Sequence, residues 1–192
     1  MVKKEDIITL PNPHLRQTSR KIKEVTNETR ELVDSMTDAA LDWEASRPHE
    51  VSAALAAVQI DAMERVVIIR SDFDNKDSKE FTILINPEIV KYEGAIVADY
   101  EGCLSVSNIY GKVPRHSKVR VRATTLEGKE VRFKATGFLA RVVQHEIDHT
   151  NGIVFIDHIK DAQDAFYTLD NEGELIPLEY DEHIKDNRLL WD

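Results

Sequence analysis

The sequence lacks several features that would define a secreted or membrane protein. Its 192 residues include a single cysteine, Cys103, which excludes an intramolecular disulfide. No stretch approaches the ~20 consecutive apolar residues that a membrane-spanning helix needs. Residues 1–6 turn acidic before any apolar run begins, unlike a signal peptide or a transit peptide. We therefore expect a cytoplasmic protein with no membrane segment.

Basic residues are also scarce. The 25 lysines and arginines are outnumbered by 35 aspartates and glutamates, which gives a net charge of −10. Residues 161–192 hold ten of the acids and two of the bases, a net of −8, so residues 1–160 carry only −2. A protein that binds nucleic acid needs a basic face to neutralise phosphates. We therefore expect no direct nucleic-acid binding.

Length and composition predict one domain with an acidic tail. Hydrophobic residues make up 42% of the chain, enough for one sizeable core, and the length is too short for two comfortable domains. We assign residues 1–160 to a catalytic domain and 161–192 to a tail that packs on the same domain. The tail would be a solvated cover or a packing strand that uses Leu175, Ile176 and Leu178. The sequence leaves the oligomeric state open.

Apolar residues recur at helical spacing in two segments. The first runs from Asn27 to about Trp43 and is expected to end before a break at 48–50. The second follows Thr136, a good N-cap, and reaches a stop signal at 151–152.

Other segments have the apolar character or alternation of strands. The predicted strands cover residues 66–70, 81–85, 88–90, 118–124 and 131–135. Asn86 and Pro87 are expected to interrupt the chain between the second and third strands, and a turn at 126–129 joins the last two into a hairpin. This order predicts an α+β fold, with antiparallel strands around a central helix.

That central helix carries a His-Glu-x-x-His motif at 145–149. Histidines at i and i+4 lie on one helix face and can share a metal ion, while a glutamate at i+1 can reach a water on the metal. Catalytic zinc-type centres usually take a third protein ligand. Glu172 or Glu174 would suit a zincin-type metallopeptidase, although both lie in a turn-like segment. Cys103 would instead give a thiolate–imidazole set, which suits Fe(II), Zn(II), Ni(II) or Co(II).

Three motifs resemble the signatures of peptide deformylases. Residues 101–105, Glu-Gly-Cys-Leu-Ser, are followed about forty residues later by the motif-bearing stretch 144–152, similar to the second and third signatures. The first signature of that family is Gly-x-Gly-x-Ala-Ala-x-Gln. Residues 52–59 keep its two alanines and its glutamine and replace both glycines. The resemblance covers roughly residues 5–160.

The resemblance implies a metal-dependent amide hydrolase. It would remove the formyl group from N-formyl-methionyl peptides of nascent proteins and release formate, by attack of a hydroxide formed from metal-bound water. Cys103, His145 and His149 would bind one divalent ion, with Fe(II) favoured over Zn(II), Ni(II) or Co(II). Residues 1–160 would then be a deformylase-like catalytic domain.

The remaining roles are also carried over by the resemblance. Glu146 would act as general base and then general acid. Gln59 and the Leu104 N–H would polarise the formyl oxygen, and losing one such donor typically costs about 3–4 kcal/mol of barrier. Glu101 and Asp148 would be supporting acids.

A slot for the methionine side chain is expected beside these groups. Phe138 and Val142 share the helical stripe of the ligands and are candidate walls, and Ala53 and Ala54 are expected alongside the peptide. Arg141 lies one turn before His145 and could reach solvent or contact the peptide backbone.

Replacement of the two family glycines has a consequence for the loop. If Ser52 and Ala54 kept a left-handed backbone, each would cost on the order of 1 kcal/mol. The loop would therefore bear strain or follow a different path. The lost glycines also leave open a non-catalytic peptide-binding relative, as an alternative to the hydrolase.

Overall fold

The computed structural model describes residues 2–47, 50–73, 75 and 77–191. The helices in this part of the chain are α1 (Asn27–Ala45), α2 (Gly137–Thr150), α3 (Tyr180–His183) and α4 (Arg188–Trp191). The strands are β1 (Ala54–Ala56), β2 (Val66–Arg70), β3 (Phe81–Cys103), β4 (Val106–Thr124), β5 (Glu130–Thr136), β6 (Phe166–Leu169) and β7 (Leu175–Pro177). The fold is α+β, as predicted.

The described strands form one sheet in the order β1-β2-β3-β4-β6-β7, and β5 pairs with β4 beside this path. All pairings between these strands are antiparallel. The predicted hairpin is confirmed, because Lys118 pairs with Thr136 and Thr124 with Glu130. Strand β4 therefore joins the long β3–β4 hairpin to β5 and to β6.

The predicted interruption at Asn86 and Pro87 is wrong. Strand β3 continues through both residues, and the register shifts between Ile85 and Glu88. Asn86 has φ 51°, a left-handed value that asparagine tolerates better than most residues. Its side chain accepts from the Ile22 N–H at 2.8 Å and donates to the Ile22 carbonyl at 2.7 Å. The Asn-Pro pair thus marks a bulge within a strand, not its end.

Both predicted long helices are present. Helix α1 ends at Ala45, two residues beyond the predicted end, and Pro48 and His49 of the predicted break lie outside the described residues. Helix α2 follows Thr136 as predicted, although the Thr136 side chain makes no capping hydrogen bond. Ten of the fourteen residues of α2 are buried, so this helix runs through the interior.

Three clusters of buried apolar residues form the core. The first joins α2 to β1, β2, β4 and β5, the second joins α1 to β1 and β2, and the third joins the tail to β4 and the chain after α2. The first cluster contains Ala140, Val142, Val143 and Ile147, so it holds α2 along most of its length against the sheet.

The tail contacts the rest of the protein mainly through residues that were not predicted. Strand β6 pairs with β4, and Phe166, Ile184 and Leu190 are buried in the third cluster. Leu178 packs against that cluster, but Ile176 is 43% exposed. The predicted packing role of Ile176 is therefore wrong. No helix in the described ranges is long and apolar enough to cross a membrane.

Candidate metal centre and active site

The end of β3 and the last two turns of α2 bring three possible metal ligands together. The ligand atoms of Cys103, His145 and His149 all lie within 4.8 Å of one another, and no other such group occurs among the described residues. Cys103 Sγ is 3.2 Å from His149 Nε2. Glu172 and Glu174 lie on the exposed tail turn and are not in this group. The structure therefore favours Cys103 as the third ligand.

The chemistry of these donors fits a divalent metal ion. A thiolate and two imidazoles are the mixed donors that zinc-type and ferrous centres use, and metal binding requires a neutral imidazole. His149 is fully buried, and burial together with the nearby His145 holds its pKa well below the ordinary value. His149 therefore remains neutral and available as a ligand.

His145 is oriented by Glu101 at the C-terminal end of β3. His145 Nδ1 is 2.9 Å from Glu101 Oε2, and since a carboxylate only accepts, the Nδ1–H must donate. Burial would lower the pKa of His145, but the Cys103 sulfur and the Glu101 carboxylate raise it well above the ordinary value. These neighbours favour positive charge on the ring. A cation at Nε2 would supply that charge in place of a proton.

Two buried arginines hold the Glu101 carboxylate. Arg115 donates from Nε at 2.9 Å and from Nη2 at 3.0 Å, and Arg141 Nη1 donates at 2.6 Å. Burial alone would raise the pKa of Glu101, yet the bonds from His145 and Arg115 hold it well below its usual range. Glu101 is therefore a permanent anion behind the ligand His145.

Glu146 lies next to the ligand His145 in the chain, and no side chain that the structure describes is recorded as its hydrogen-bond partner. Its carboxylate oxygen Oε2 is buried and unbonded among the described residues. Burial raises the pKa of Glu146 to about 7. An unpaired carboxylate with a pKa near neutrality is suited to take up and release a proton.

Gln59 is fixed by three hydrogen bonds. Its Oε1 accepts from the Ala56 N–H at 2.9 Å, while Nε2 donates to Ser105 Oγ at 3.2 Å and to Cys103 Sγ at 3.6 Å. The amide oxygen thus accepts from a backbone N–H of the loop, and the amide N–H points at the candidate ligand Cys103. Leu104 lies in the turn between β3 and β4 and lines the same cavity as Gln59.

A cavity of about 330 Å³ opens beside the candidate ligands. The predicted substrate-binding residues that line it are Ala53, Ala54, Phe138 and Val142. Phe138 is 55% exposed and meets Phe73 edge-to-face at 5.0 Å, whereas Val142 is buried. The predicted site residues line this cavity except for His149, which is fully buried behind it with Nε2 3.2 Å from Cys103 Sγ.

Gly102 is required for a reason that the sequence does not reveal. A Cβ at this position would lie 2.7 Å from Cε1 of Tyr110, closer than real side chains approach. The Tyr110 hydroxyl donates in turn to Glu50. Gly102 therefore allows the Tyr110 ring to pack closely against the chain just before Cys103.

Of the two alternatives for the loop at Ser52 and Ala54, strain or a different path, the structure shows the different path. Neither residue is among the described non-glycine residues with positive φ, and Ala54 pairs with Ile69 in β1. Ser52 is buried, its N–H donates to Glu44, and its carbonyl accepts from Arg70. The loop has taken an extended path, which removes the need for glycine's backbone freedom.

Other supporting residues are placed as the sequence suggested or are new. Asp148 accepts from Arg115 and lies 2.7 Å from His158 Nε2, as expected of a supporting acid. Arg141 is buried, so the predicted option that it reaches solvent is wrong.

Sequence reasoning missed Ser105 and Arg115 as residues that support the site. Arg115 lies on a strand where arginine ordinarily faces solvent, so no local signal could have found it.

Taken together, this geometry defines a class of protein. A Cys-His₂ donor set, an unpaired glutamate on the same helix and a cavity beside them are the parts of a metal-dependent hydrolase.

Comparison with known proteins narrows this class to one family. The model of the polypeptide deformylase family matches residues 4–165. A peptide deformylase of Thermomicrobium roseum is 42% identical over 171 residues, covering 88% of this chain and 93% of that protein. One from Halothermothrix orenii is 41% identical over 148 residues, covering 77% and 88%. The chain belongs to the polypeptide deformylase family, whose members are metal-dependent hydrolases using a divalent ion.

Solved structures agree with this assignment. A class I type b peptide deformylase of Acinetobacter baumannii with Met-Ala-Ser bound has a TM-score of 0.73 and 29% identity. The match covers 83% of this chain and 99% of the Acinetobacter baumannii chain. A peptide deformylase of Synechococcus elongatus in complex with actinonin has a TM-score of 0.70 and 30% identity, covering 79% and 76%.

Proposed function

We propose that this protein removes the formyl group from N-formyl-methionyl peptides at the N-termini of nascent proteins and releases formate. The observation that carries the proposal is the convergence of Cys103, His145 and His149 beside the unpaired carboxylate of Glu146. The Met-Ala-Ser tripeptide bound to the Acinetobacter baumannii relative supports a peptide substrate that begins with methionine.

Cys103, His145 and His149 would hold one divalent ion. Fe(II) is the proposed ion, with Zn(II), Ni(II) and Co(II) as alternatives, because a thiolate with two imidazoles suits all four. The ion would supply Lewis-acid chemistry, acidifying water and polarising the formyl carbonyl.

Glu146 is the proposed general base and acid. Its buried carboxylate would take a proton from the attacking water and later give it to the leaving amine. Its pKa of about 7 in the protein alone suits both steps, because neither the charged nor the neutral form is strongly disfavoured.

Gln59 and Leu104 are the proposed donors to the developing oxyanion. Gln59 Nε2 is held 3.6 Å from Cys103 Sγ, so it lies beside the candidate ion site before substrate arrives. The Leu104 N–H follows Cys103 in the turn. Donors that are already in position stabilise the transition state without further reorganisation.

The methionine side chain would occupy the cavity beside α2. Phe138 and Val142 are its proposed walls, and the peptide backbone would run along Ala53 and Ala54 of the β1 side. Formation of main-chain hydrogen bonds with such an edge is a common way to bind an extended peptide.

We further propose that residues 1–160 form the catalytic domain, with α2 as its central helix and the tail 161–192 packed on it. The β4–β6 pairing supports this arrangement.

The tail's net charge of −8 supports the absence of nucleic-acid binding. Salt-sensitive RNA binding that is lost on truncation after Lys160 would contradict it. A cytoplasmic location remains part of the proposal, since the substrate is a nascent protein.

The decisive experiment is a formate-release assay. The protein would be purified anaerobically with Fe(II), because a ferrous–thiolate centre is readily oxidised. Formyl-Met-Ala-Ser would then be offered to the enzyme and to the Glu146→Ala variant at equal metal content. We expect formate from the first and little from the second. No formate from fully metal-loaded enzyme would overturn the proposal.

A further inference from the structure

The acidic tail lies against the wall of the cavity that β3 and β4 form. The family model ends at residue 165, so β6 and the chain that follows it lie beyond the part matched to the family. Strand β6 nevertheless pairs with β4 at Tyr110 and Gly111, and Tyr110 lines the cavity. The tail therefore contacts the wall of the cavity, in addition to the third core cluster.

Three tyrosines meet where β6 joins the sheet. Tyr167 of β6 pairs with Tyr110 of β4. The Tyr167 ring also meets the ring of Tyr100 on β3 edge-to-face, with centroids 4.9 Å apart and planes at 87°. An edge-to-face arrangement at this distance is a favourable contact between two aromatic rings. The tail thus reaches β4 through its backbone and β3 through the side chain of Tyr167.

Tyr100 and Tyr110 lie close to the candidate ligand Cys103. Both line the cavity, and Tyr100 precedes Cys103 by three residues on β3. The Tyr110 ring packs against Gly102, the residue before Cys103. Tyr100 is 41% exposed, so it lies where the cavity opens to solvent. A peptide whose formyl group reaches the candidate ion site must extend out of the cavity through such an opening.

The position of Tyr100 depends on the tail. Among the described residues, the aromatic ring that meets Tyr100 is that of Tyr167. The ammonium of Lys112 also lies 5.9 Å from the Tyr100 centroid, but Lys112 is an exposed residue with a long, flexible side chain. Tyr167 is therefore the more rigid of these two neighbours, and it limits the movement of the Tyr100 ring.

We propose that Tyr167 is a positioning residue for peptide binding, because it holds Tyr100 at the mouth of the cavity before the substrate arrives. The inference rests on the proposed function and gives the tail a part in it. A mobile side chain loses conformational freedom when a peptide packs on it, which weakens binding. A ring that is held in advance avoids this cost. Tyr167 is not among the described residues that line the cavity, so it acts through Tyr100.

The effect should fall on KM and not on kcat. Tyr167→Ala should raise KM for formyl-Met-Ala-Ser by about three- to tenfold, the cost of ordering one side chain on binding. Its kcat and metal content should equal those of the wild type. Tyr167→Phe keeps the ring and should retain the wild-type KM. An unchanged KM in Tyr167→Ala, an equal rise in Tyr167→Phe, or an effect on kcat alone would overturn the inference.

A control variant excludes a general effect of changing the tail. Ile176→Ala alters β7, the strand beside β6, at a residue that is 43% exposed. Its KM should equal that of the wild type. A rise in KM as large as that of Tyr167→Ala would mean that any change in the tail disturbs the cavity, and it would overturn the specific role of Tyr167.

A double-mutant cycle tests whether Tyr167 acts through Tyr100. Tyr100→Ala alone should raise KM, and adding Tyr167→Ala should then change KM little, because the ring to be held is gone. An unchanged KM in Tyr100→Ala, or a second rise as large as the first, would overturn the inference. If Tyr167→Ala does not fold, Tyr167→Leu takes its place, since leucine keeps an apolar side chain on β6.

Binding of a product peptide separates this inference from the proposed function. The dissociation constant of Met-Ala-Ser would be measured by calorimetry on metal-loaded wild type and Tyr167→Ala. We expect about three- to tenfold weaker binding by the variant. Equal binding would overturn the inference and leave deformylation intact. Absence of formate from the wild type would overturn the proposed function, whereas the binding comparison needs no turnover.

Discussion

Glu101 Oε2 accepts a hydrogen bond from His145 Nδ1 over 2.9 Å. With Nδ1 committed as a donor, Nε2 of the same ring is left with its lone pair facing Cys103 and His149. A residue outside the ligand set therefore decides which nitrogen of His145 can bind metal. Arg115 and Arg141 fix Glu101 in turn.

We expect Glu101→Gln to weaken metal binding and to destabilise the protein. The amide keeps the shape but removes the carboxylate that pairs with Arg141, and leaves Arg115 with Asp148 as its counter-charge. Metal affinity should fall by about 10- to 100-fold, and the free energy of unfolding by about 3 kcal/mol. Competition with a chelator and urea unfolding measure the two effects. Glu130→Gln, which changes an exposed pair with Arg132, is the control and should alter neither.

Glu146→Ala should retain the metal and lose most turnover. Cys103, His145 and His149 remain to hold the ion, while the carboxylate that handles the proton is gone. We expect kcat to fall by about 10²- to 10⁴-fold. Metal analysis beside the formate assay tests both parts, and near-normal activity or loss of the metal would each show that the assigned role is wrong.

Cys103→Ser separates the two candidate ligand sets. A hydroxyl is a poor substitute for a thiolate, so we expect the variant to lose most of its bound metal. A zincin-type site using Glu172 or Glu174 would keep it. The double variant Glu172→Gln, Glu174→Gln is the matched control, and its metal content should equal that of the wild type. Metal retained by Cys103→Ser but lost by the control would reverse the ligand assignment.

Ala54→Gly tests the cost of the replaced glycine. Since Ala54 is extended and paired with Ile69, the reason for an effect is crowding by its methyl group and not backbone strain. We expect a lower KM for formyl-methionyl peptides with little change in kcat. The buried strand should also lose about 0.5–1 kcal/mol of stability. An unchanged KM would mean that the peptide does not pass beside this methyl group.

Phe166→Ala should show that the tail contributes to stability. The Phe166 ring is 1% exposed in the third core cluster, so truncation should cost about 3–5 kcal/mol in the free energy of unfolding. Ile176→Ala, at a residue that is 43% exposed, should stay within about 0.5 kcal/mol. Similar small effects of both substitutions in urea unfolding would mean that the tail is only loosely attached.

Local pattern was enough to predict helix α2, the β4–β5 hairpin and the candidate ligands. The i, i+4 spacing of His145 and His149 is a property of the helix itself, and strict alternation specifies the hairpin. The third ligand was favoured from its chemistry, as the single cysteine, and by the resemblance; its position could not be predicted, because nothing local brings Cys103 to a helix that begins 34 residues later.

The remaining features depend on long-range contacts. Asn86 becomes a bulge because Ile22 satisfies its amide, and Arg115 and Arg141 are buried because Glu101 lies between them. Phe166 is buried because β6 pairs with β4, a contact that residue spacing in the tail does not encode. In each case the partner lies far along the chain, beyond the reach of periodicity.

The pairing of strand β4 with its neighbours affects how this protein unfolds locally. It pairs with β3 over most of its length, with β5 at residues 118–124 and with β6 at Tyr110 and Gly111. The backbone amides of residues 118–124 therefore lie between two strands, and all of them are released only when both β3 and β5 separate from β4. We expect these amides to exchange with deuterium at the rate set by global unfolding. Cys103, next to β4, would then be protected from local breathing even in protein stripped of its ion.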